Sequence, residues 1–250
     1  MKKLFFLLLL FPVFLSAQTV DELFVNANNL YKEGQYEKAI ELYKKIETTK
    51  KVSSELYYNL ANCYYKLNQV APSIYNYEKA LQLNPLNADA QNNLAFAKRL
   101  TLDRIEEVPK SFLQKIHEKY IQKLTYNQWA IVAVVFSFMA ALLFLLFYFT
   151  NTPNKKRLFF VSSILSFLFL LVSLTISYNE YHNSKTNKFA IIFNQQVSIK
   201  NAPTLNSNEV FILHEGAKVK VLDTVDDWKK IKLADGKIGW VKASEIKIIS

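Results

Sequence analysis

The sequence predicts a multidomain α plus β membrane protein: an α-α solenoid near the N-terminus, a two-helix transmembrane hairpin, and a small β-barrel at the C-terminus. Three observations predict it. Residues 20–87 are self-similar at a spacing of 34, two later stretches carry no charge over more than twenty residues, and beyond residue 188 the apolar period changes from helical to alternating. The average composition, 51% hydrophobic and 21% charged, describes no part of the chain, because apolar residues crowd into blocks near residues 4–15, 128–150 and 158–178.

Residues 1–17 read as a signal peptide. Lys2 and Lys3 precede an apolar run from Leu4 to Phe14, which ends in Leu15-Ser16-Ala17. A positive start, a short apolar core and a small-residue end suit export, and the core is too short to span about 30 Å of hydrocarbon. Cleavage after Ala17 is the expected processing, with an uncleaved anchor as the alternative. Removing Lys2 and Lys3 lowers the formal net charge from +10 to +8.

The repeat lies in residues 20–105. Asn28-Asn29-Leu30-Tyr31-Lys32 corresponds to Asn62-Cys63-Tyr64-Tyr65-Lys66, and Ala39-Ile40-Glu41-Leu42-Tyr43 to Ser73-Ile74-Tyr75-Asn76-Tyr77. Small residues at Ala61, Ser73 and Ala80 let two helices approach, Tyr64 and Tyr77 fill the space beside them, and Pro85 stops the second helix. Period and pattern resemble the tetratricopeptide (TPR) family, with Tyr57, Leu60, Ala61, Tyr64, Tyr77, Ala80 and Pro85 at signature positions. The resemblance implies a TPR solenoid of repeats 20–53 and 54–87 with a cap over 88–105. It also implies partner recognition on a concave face lined by Asn28, Tyr31, Lys32, Asn62, Tyr65, Lys66 and Asn93. Asparagine with lysine can hold a peptide backbone or a terminal carboxylate, although the same residue types also occur as ordinary repeat surface.

Residues 109–127 form the next expected element. Phe112, Leu113, Ile116, Tyr120, Ile121 and Leu124 recur at helical spacing with lysines opposite, an amphipathic helix suited to the membrane interface or to packing on the repeat cap. The transmembrane helices follow at 128–150 and 158–178, joined by the loop 151–157, with 179–188 as a polar linker. Export of the N-terminus places both flanking modules outside the cytoplasm, and Lys155, Lys156 and Arg157 in the loop agree with the positive-inside rule, although Lys110, Lys115, Lys119 and Lys123 flank the first span on the outer side. No Asp, Glu, Lys, Arg or His lies within either span, which reads as an anchor rather than an ion path. Ser162, Ser163 and Ser166 offer small residues for helix association.

In the last segment Lys218-Val219-Lys220-Val221-Leu222 and Lys230-Ile231-Lys232-Leu233 alternate as half-buried strands do, and Asp235-Gly236 marks a hairpin. The order Val197–Pro203, His214-Glu215-Gly216, Trp228, Asp235-Gly236 and Gly239-Trp240-Val241 resembles bacterial SH3 (SH3b) domains over residues 189–250. Asn201-Ala202-Pro203 stands where that family often has Ser-Gly-Pro. The resemblance implies an SH3-like barrel that binds peptide or peptidoglycan, with Trp228 and Trp240 either offering a stacking surface or bracing the barrel.

Several function classes are disfavoured. The lysines are spread among glutamates, as in Glu41, Lys44, Lys45 and Glu47, so nucleic acid is not an expected partner. Gly34, Gly216, Gly236 and Gly239 form no phosphate-binding cluster. His117, His182 and His214 fall in separate segments, so neither a metal site nor a cofactor is expected. Asp226-Asp227 reads as a turn, and Cys63 as a small packed residue. The chain is therefore expected not to be an enzyme. The order of leader, repeats, hairpin and SH3b resembles the BatE-type proteins of the Bat aerotolerance operon. That resemblance implies an inner-membrane scaffold in oxidative or envelope stress, beside von Willebrand A-domain partners.

Overall fold

The computed structural model describes residues 19–106 and 108–249, so the expected leader lies outside the described residues. The chain divides into two compact units at Val52. In the first, helix α1 (Val20–Lys32) begins in a capping box, in which Thr19 accepts from the Glu22 backbone and Glu22 from the Thr19 backbone. Gly34 turns the chain at φ +77° into helix α2 (Tyr36–Thr48). Leu23 and Ala27 on α1 and Ala39, Tyr43 and Ile46 on α2 are buried, and Phe24 meets Tyr43 edge to face at 5.9 Å.

The second unit opens with helix α3 (Ser54–Lys66), capped by Ser53, followed by α4 (Val70–Leu83) and α5 (Ala88–Lys98). Ala61, Ser73 and Ala80 are fully buried, as expected of residues that let helices approach. Helix α4 stops at Leu83, two residues before Pro85. This helix is buried on more than one side: Ile74, Tyr75, Asn76, Tyr77, Lys79 and Ala80 all have little exposure. One side packs on α3 and α5 and another meets the β-module.

The expected cap over 88–105 is helical only to Lys98. The chain then turns at Arg99–Leu100 and passes as an irregular segment onto the β-module, where Ile105 packs on its core and the Val108 N–H donates to the Ala234 carbonyl at 3.2 Å. The expected amphipathic helix 109–127 is shorter too, with α6 (Phe112–Ile116), one π-helical turn at His117–Ile121, and a break before Tyr126. The break has a cause, because Thr125 starts a new capping box for the following helix and the Trp129 indole donates to the Ile121 carbonyl at 3.0 Å.

Helices α7 (Tyr126–Phe149) and α8 (Pro153–Thr186) are long and apolar enough to cross a membrane. Their apolar side chains mostly face outward, Phe138 and Phe149 each being 74% exposed, which the core helix of a soluble protein would not tolerate. The loop expected at 151–157 is shorter. Pro153 opens α8, and Lys155, Lys156 and Arg157 sit in its first turns. The linker expected at 179–188 is instead helix as far as Thr186, since no glycine or proline interrupts it and Tyr126 stacks edge to face on Tyr181 at 5.5 Å. Polarity there marks where the apolar span ends, not where the helix ends. Ser163 and Ser166 donate to the Ala140 and Phe136 carbonyls at 3.1 Å, so these small residues clasp α8 to α7 within the hairpin.

Strands β1 (Lys188–Ile192), β2 (Gln196–Lys200), β3 (Glu209–His214), β4 (Lys218–Val225), β5 (Trp228–Lys232), β6 (Ile238–Lys242) and β7 (Ile246–Ile249) form one antiparallel sheet in the order β3-β2-β6-β5-β4-β1-β7. Among the described residues no pairing joins β3 to β7, so the sheet agrees with the expected β-module while its closure into a barrel is not shown. Gly236 turns β5 into β6 at φ +94°, as the Asp235-Gly236 pair predicted, and Asp226 lies in the β4–β5 turn. The core is aliphatic: Ile192, Val197, Ile199, Val219, Ile231 and Val241 are nearly all inaccessible.

Gly216 sits in the β3–β4 turn, close against α4 and the segment after α5. Its φ is +84°, and a Cβ there would lie 2.7 Å from Thr101 Cγ2 and 3.0 Å from Ile74 Cδ1. Gly216→Ala should destabilise the second unit by about 1–3 kcal/mol. A thermal melt of the detergent-solubilised chain with an unchanged midpoint would contradict this contact.

Candidate partner-binding surfaces

In each helical hairpin an asparagine on the first helix accepts from a tyrosine on the second. The Tyr43 hydroxyl donates to Asn28 Oδ1 at 2.5 Å, and the Tyr77 hydroxyl donates to Asn62 Oδ1. Asn93 Nδ2, from α5, donates to the same Asn62 oxygen at 2.9 Å and to the Tyr58 hydroxyl at 3.3 Å. Tyr58 lies 6.1 Å from Tyr77 between ring centroids. These polar groups fix the hairpins internally, and the 34-residue period marks a packing device. The asparagine oxygens expected to meet a partner are engaged from within.

The other expected contact residues sit at helix ends. Tyr31 meets Tyr36 edge to face at 5.4 Å, and Lys32 is exposed in the last turn of α1. Tyr65 is partly buried against the core around α3 and α4, and Lys66 is exposed in the last turn of α3. Tyr65, Asn62, Asn93 and Lys66 thus come from α3 and α5, the two helices of the second unit that flank α4 without being docked on the sheet. Cys63 is wholly buried, and that burial pushes its thiol up to about 12, so it is a packed residue at neutral pH.

Sequence reasoning missed the opposite face of α4. Val70, Ala71, Ile74, Tyr75 and Glu78 fall at helical spacing and meet β1, β7 and their flanks. Tyr75 packs edge to face on Phe193 at 5.7 Å, its hydroxyl donates to the Ile248 carbonyl at 3.3 Å, and Lys247 Nζ lies 4.4 Å from its ring centre. Ile191, on β1, belongs to the same buried cluster as Ile74 and Tyr75. Glu78 sits between Lys98 of α5 at 3.2 Å and Lys218 of β4 at 2.6 Å. On the extended segment, Asp103 accepts from the His214 backbone N–H at 2.6 Å, and its other oxygen lies 2.9 Å from His214 Nδ1. The signal was present in the tyrosine and isoleucine added beside α4's first apolar stripe, but a stripe does not name its partner.

Trp228 and Trp240 are half-buried on neighbouring strands and neither belongs to the aliphatic core. Each ring therefore keeps part of its surface open to a partner while the rest packs on the domain. Lys230 Nζ lies 5.8 Å from the Trp240 ring. The hairpin of α7 and α8 encloses an apolar groove lined by Ser137, Ala140, Ala141, Phe144, Phe160 and Leu170, with no ionisable side chain.

The tetratricopeptide repeat family matches residues 54–87, the span of α3 and α4, and the bacterial SH3 domain family matches residues 196–247, from β2 into β7. The chain carries a TPR repeat and a bacterial SH3 domain. No curated protein matches the chain. The first helical hairpin, α5, the apolar hairpin and β1 lie outside both matches. The two domains support a role in protein interaction.

Removing the Asn62 carbonyl leaves the Tyr77 hydroxyl and the Asn93 amide without this acceptor. Asn62→Ala is expected to lower stability by about 1–3 kcal/mol, read as a lower denaturant midpoint. Burial opposes ionisation of Glu78, but Lys218 and Lys98 more than offset it and hold the carboxyl below its usual range. The contribution of this ion pair is complete above the ordinary glutamate pKa and is lost as pH falls through the depressed folded value. Acidification through that range should loosen the TPR–SH3 contact in the native chain, detected as faster hydrogen exchange on α4 and β1, and Glu78→Gln should remove that pH dependence.

Proposed function

We propose that the chain is a non-enzymatic, membrane-anchored protein-interaction scaffold of the bacterial cell envelope. The observation that carries this reading is the contact between TPR repeat and SH3 domain, although the apolar hairpin separates them in sequence. Two spans return the chain to the side it left, and modules in contact must share that side. The leader-like residues 1–17 and the basic tip at Lys155-Lys156-Arg157 support an extracytoplasmic placement of both, at the inner membrane. Bacterial SH3 domains are extracytoplasmic, which agrees.

Because α4 is covered by the SH3 domain, partner recognition in the second unit falls to α3 and α5, with Tyr65 and Lys66 accessible and Asn62 and Asn93 holding the surface in place. The order of modules, similar to BatE-type proteins, supports a place in a Bat complex with von Willebrand A-domain proteins and a role in oxidative or envelope stress. A second reading, in which SH3 grips peptidoglycan and TPR recruits a cell-wall enzyme, draws on the two half-buried tryptophans.

A photo-crosslinker at Tyr65 in the full chain is expected to capture an envelope protein in cells. Capture of none, from this and neighbouring positions on α3 and α5, would sink the scaffold reading. Retention of the solubilised chain on isolated peptidoglycan, lost in Trp228→Ala, would favour the second.

A further inference from the structure

The outer face of the SH3 sheet has two parts. Over β1 and β7 it meets α4, through Ile191 and Ile249. Over β5, β6 and β2 it carries a lattice of tryptophan and lysine. Cross-strand register sets Trp228 opposite Lys242, Trp240 opposite Lys230, and Lys200 of β2 opposite Trp240. Strand alternation places all five on one face, because their neighbours Ile199, Ile231 and Val241 belong to the core. Lys220 and Lys232 stand opposite each other at the next position of that face, flanked by the exposed Ile238.

Like charges directly opposite on a sheet are unfavourable, so this face is held at some cost to the fold. Asp223 stands opposite Lys230. Even so, among the described residues none of Lys200, Lys220, Lys230, Lys232 and Lys242 lies within ion-pair distance of a carboxylate. A neutral sugar stacked on the tryptophans would leave these five ammonium groups without a counter-charge. Anionic lipid headgroups supply one, and the bilayer interface is where indole rings prefer to lie. The tether also keeps the SH3 domain close to such a surface. Asn187 alone separates α8 from β1, and the eight residues from Asn179 to Thr186 rise about 12 Å beyond the apolar span.

We infer that the Trp228–Trp240–lysine face of the SH3 domain docks on anionic phospholipid headgroups of the bilayer that α7 and α8 cross. The inference rests on the reading of α7 and α8 as membrane spans. Docking gives the chain a second hold on the membrane and fixes how α3 and α5 are presented above it.

The test reconstitutes the full chain into vesicles of phosphatidylcholine, with and without phosphatidylglycerol. In Trp129→Phe, the remaining tryptophans Trp228 and Trp240 report on the face. Headgroup spin-labelled lipid should quench them in the phosphatidylglycerol vesicles, weakly in phosphatidylcholine alone, and less as salt rises. Lys230→Gln and Lys242→Gln should each lower the ratio of docked to undocked protein about fivefold. Lys237→Gln, at the β5–β6 turn, should leave it unchanged. The double variant Trp228→Phe with Trp240→Phe leaves Trp129, whose quenching by chain-labelled lipid reports on the spans. Loss of that signal would refute the spans themselves. Embedded Trp129 with no phosphatidylglycerol-dependent quenching of Trp228 and Trp240 would overturn the docking face. Shielding of the two tryptophans by a single-stranded oligonucleotide or by peptidoglycan fragments, but not by lipid, would overturn it as well.

Discussion

Helix α4 is asked to bury two faces at once, and the arrangement of the second unit follows from how that is achieved. Ser73, Tyr77 and Ala80 belong to the repeat, while Val70, Ile74 and Tyr75 face the sheet. The apolar part of the contact is broad but undirected. Direction comes from Glu78, whose carboxyl is held below its usual range, against the effect of burial, by Lys218 and Lys98 on either side of it. One lysine comes from the repeat and the other from the SH3 domain, so a single buried charge ties the two together. Removing either partner would leave that charge under-compensated, which is far more costly than losing an exposed pair.

The same joint constrains the apolar hairpin. The segment after α5 is held to the sheet by Asp103, Ile105 and Val108 before it turns towards α7, and α8 leads into β1 through a single residue. Both ends of the hairpin therefore start from one body. His117, in the turn before α7, lies 3.1 Å from Glu180 on α8, and Ser177 donates to the Tyr126 carbonyl at 2.9 Å. These contacts brace the hairpin where it meets the soluble body, and the serine clasps continue the bracing along its length.

Much of this architecture was legible in the residues. The period of 34 marked the helical pairs because small residues and tyrosines must recur wherever helices cross at a fixed distance. The charge-free runs marked α7 and α8, and Asp235-Gly236 marked the β5–β6 turn through its need for positive φ. What misled was polarity taken as an element boundary. Residues 179–186 are polar yet helical, and residues 99–105, expected to complete the cap, leave the helix after Lys98 because Asp103 and Ile105 find partners on the sheet. The candidate site was legible in part. Asn28 and Asn62 were found by their spacing, but spacing does not reveal that a tyrosine fifteen residues later donates to each.

By itself the sequence determined the order of helical repeat, apolar spans and strands, though not where each element ends, since period, capping and apolar length are local properties of the chain. It also determined the separation of two soluble modules by a pair of apolar helices. Only the tertiary structure decided that these modules touch, that α4 and Glu78 form the joint, and that Trp228 and Trp240 share an open face with lysines instead of filling a core. The physical reason is that an apolar stripe or a buried carboxylate specifies a need to be covered or neutralised. Which partner meets that need depends on residues more than a hundred positions away.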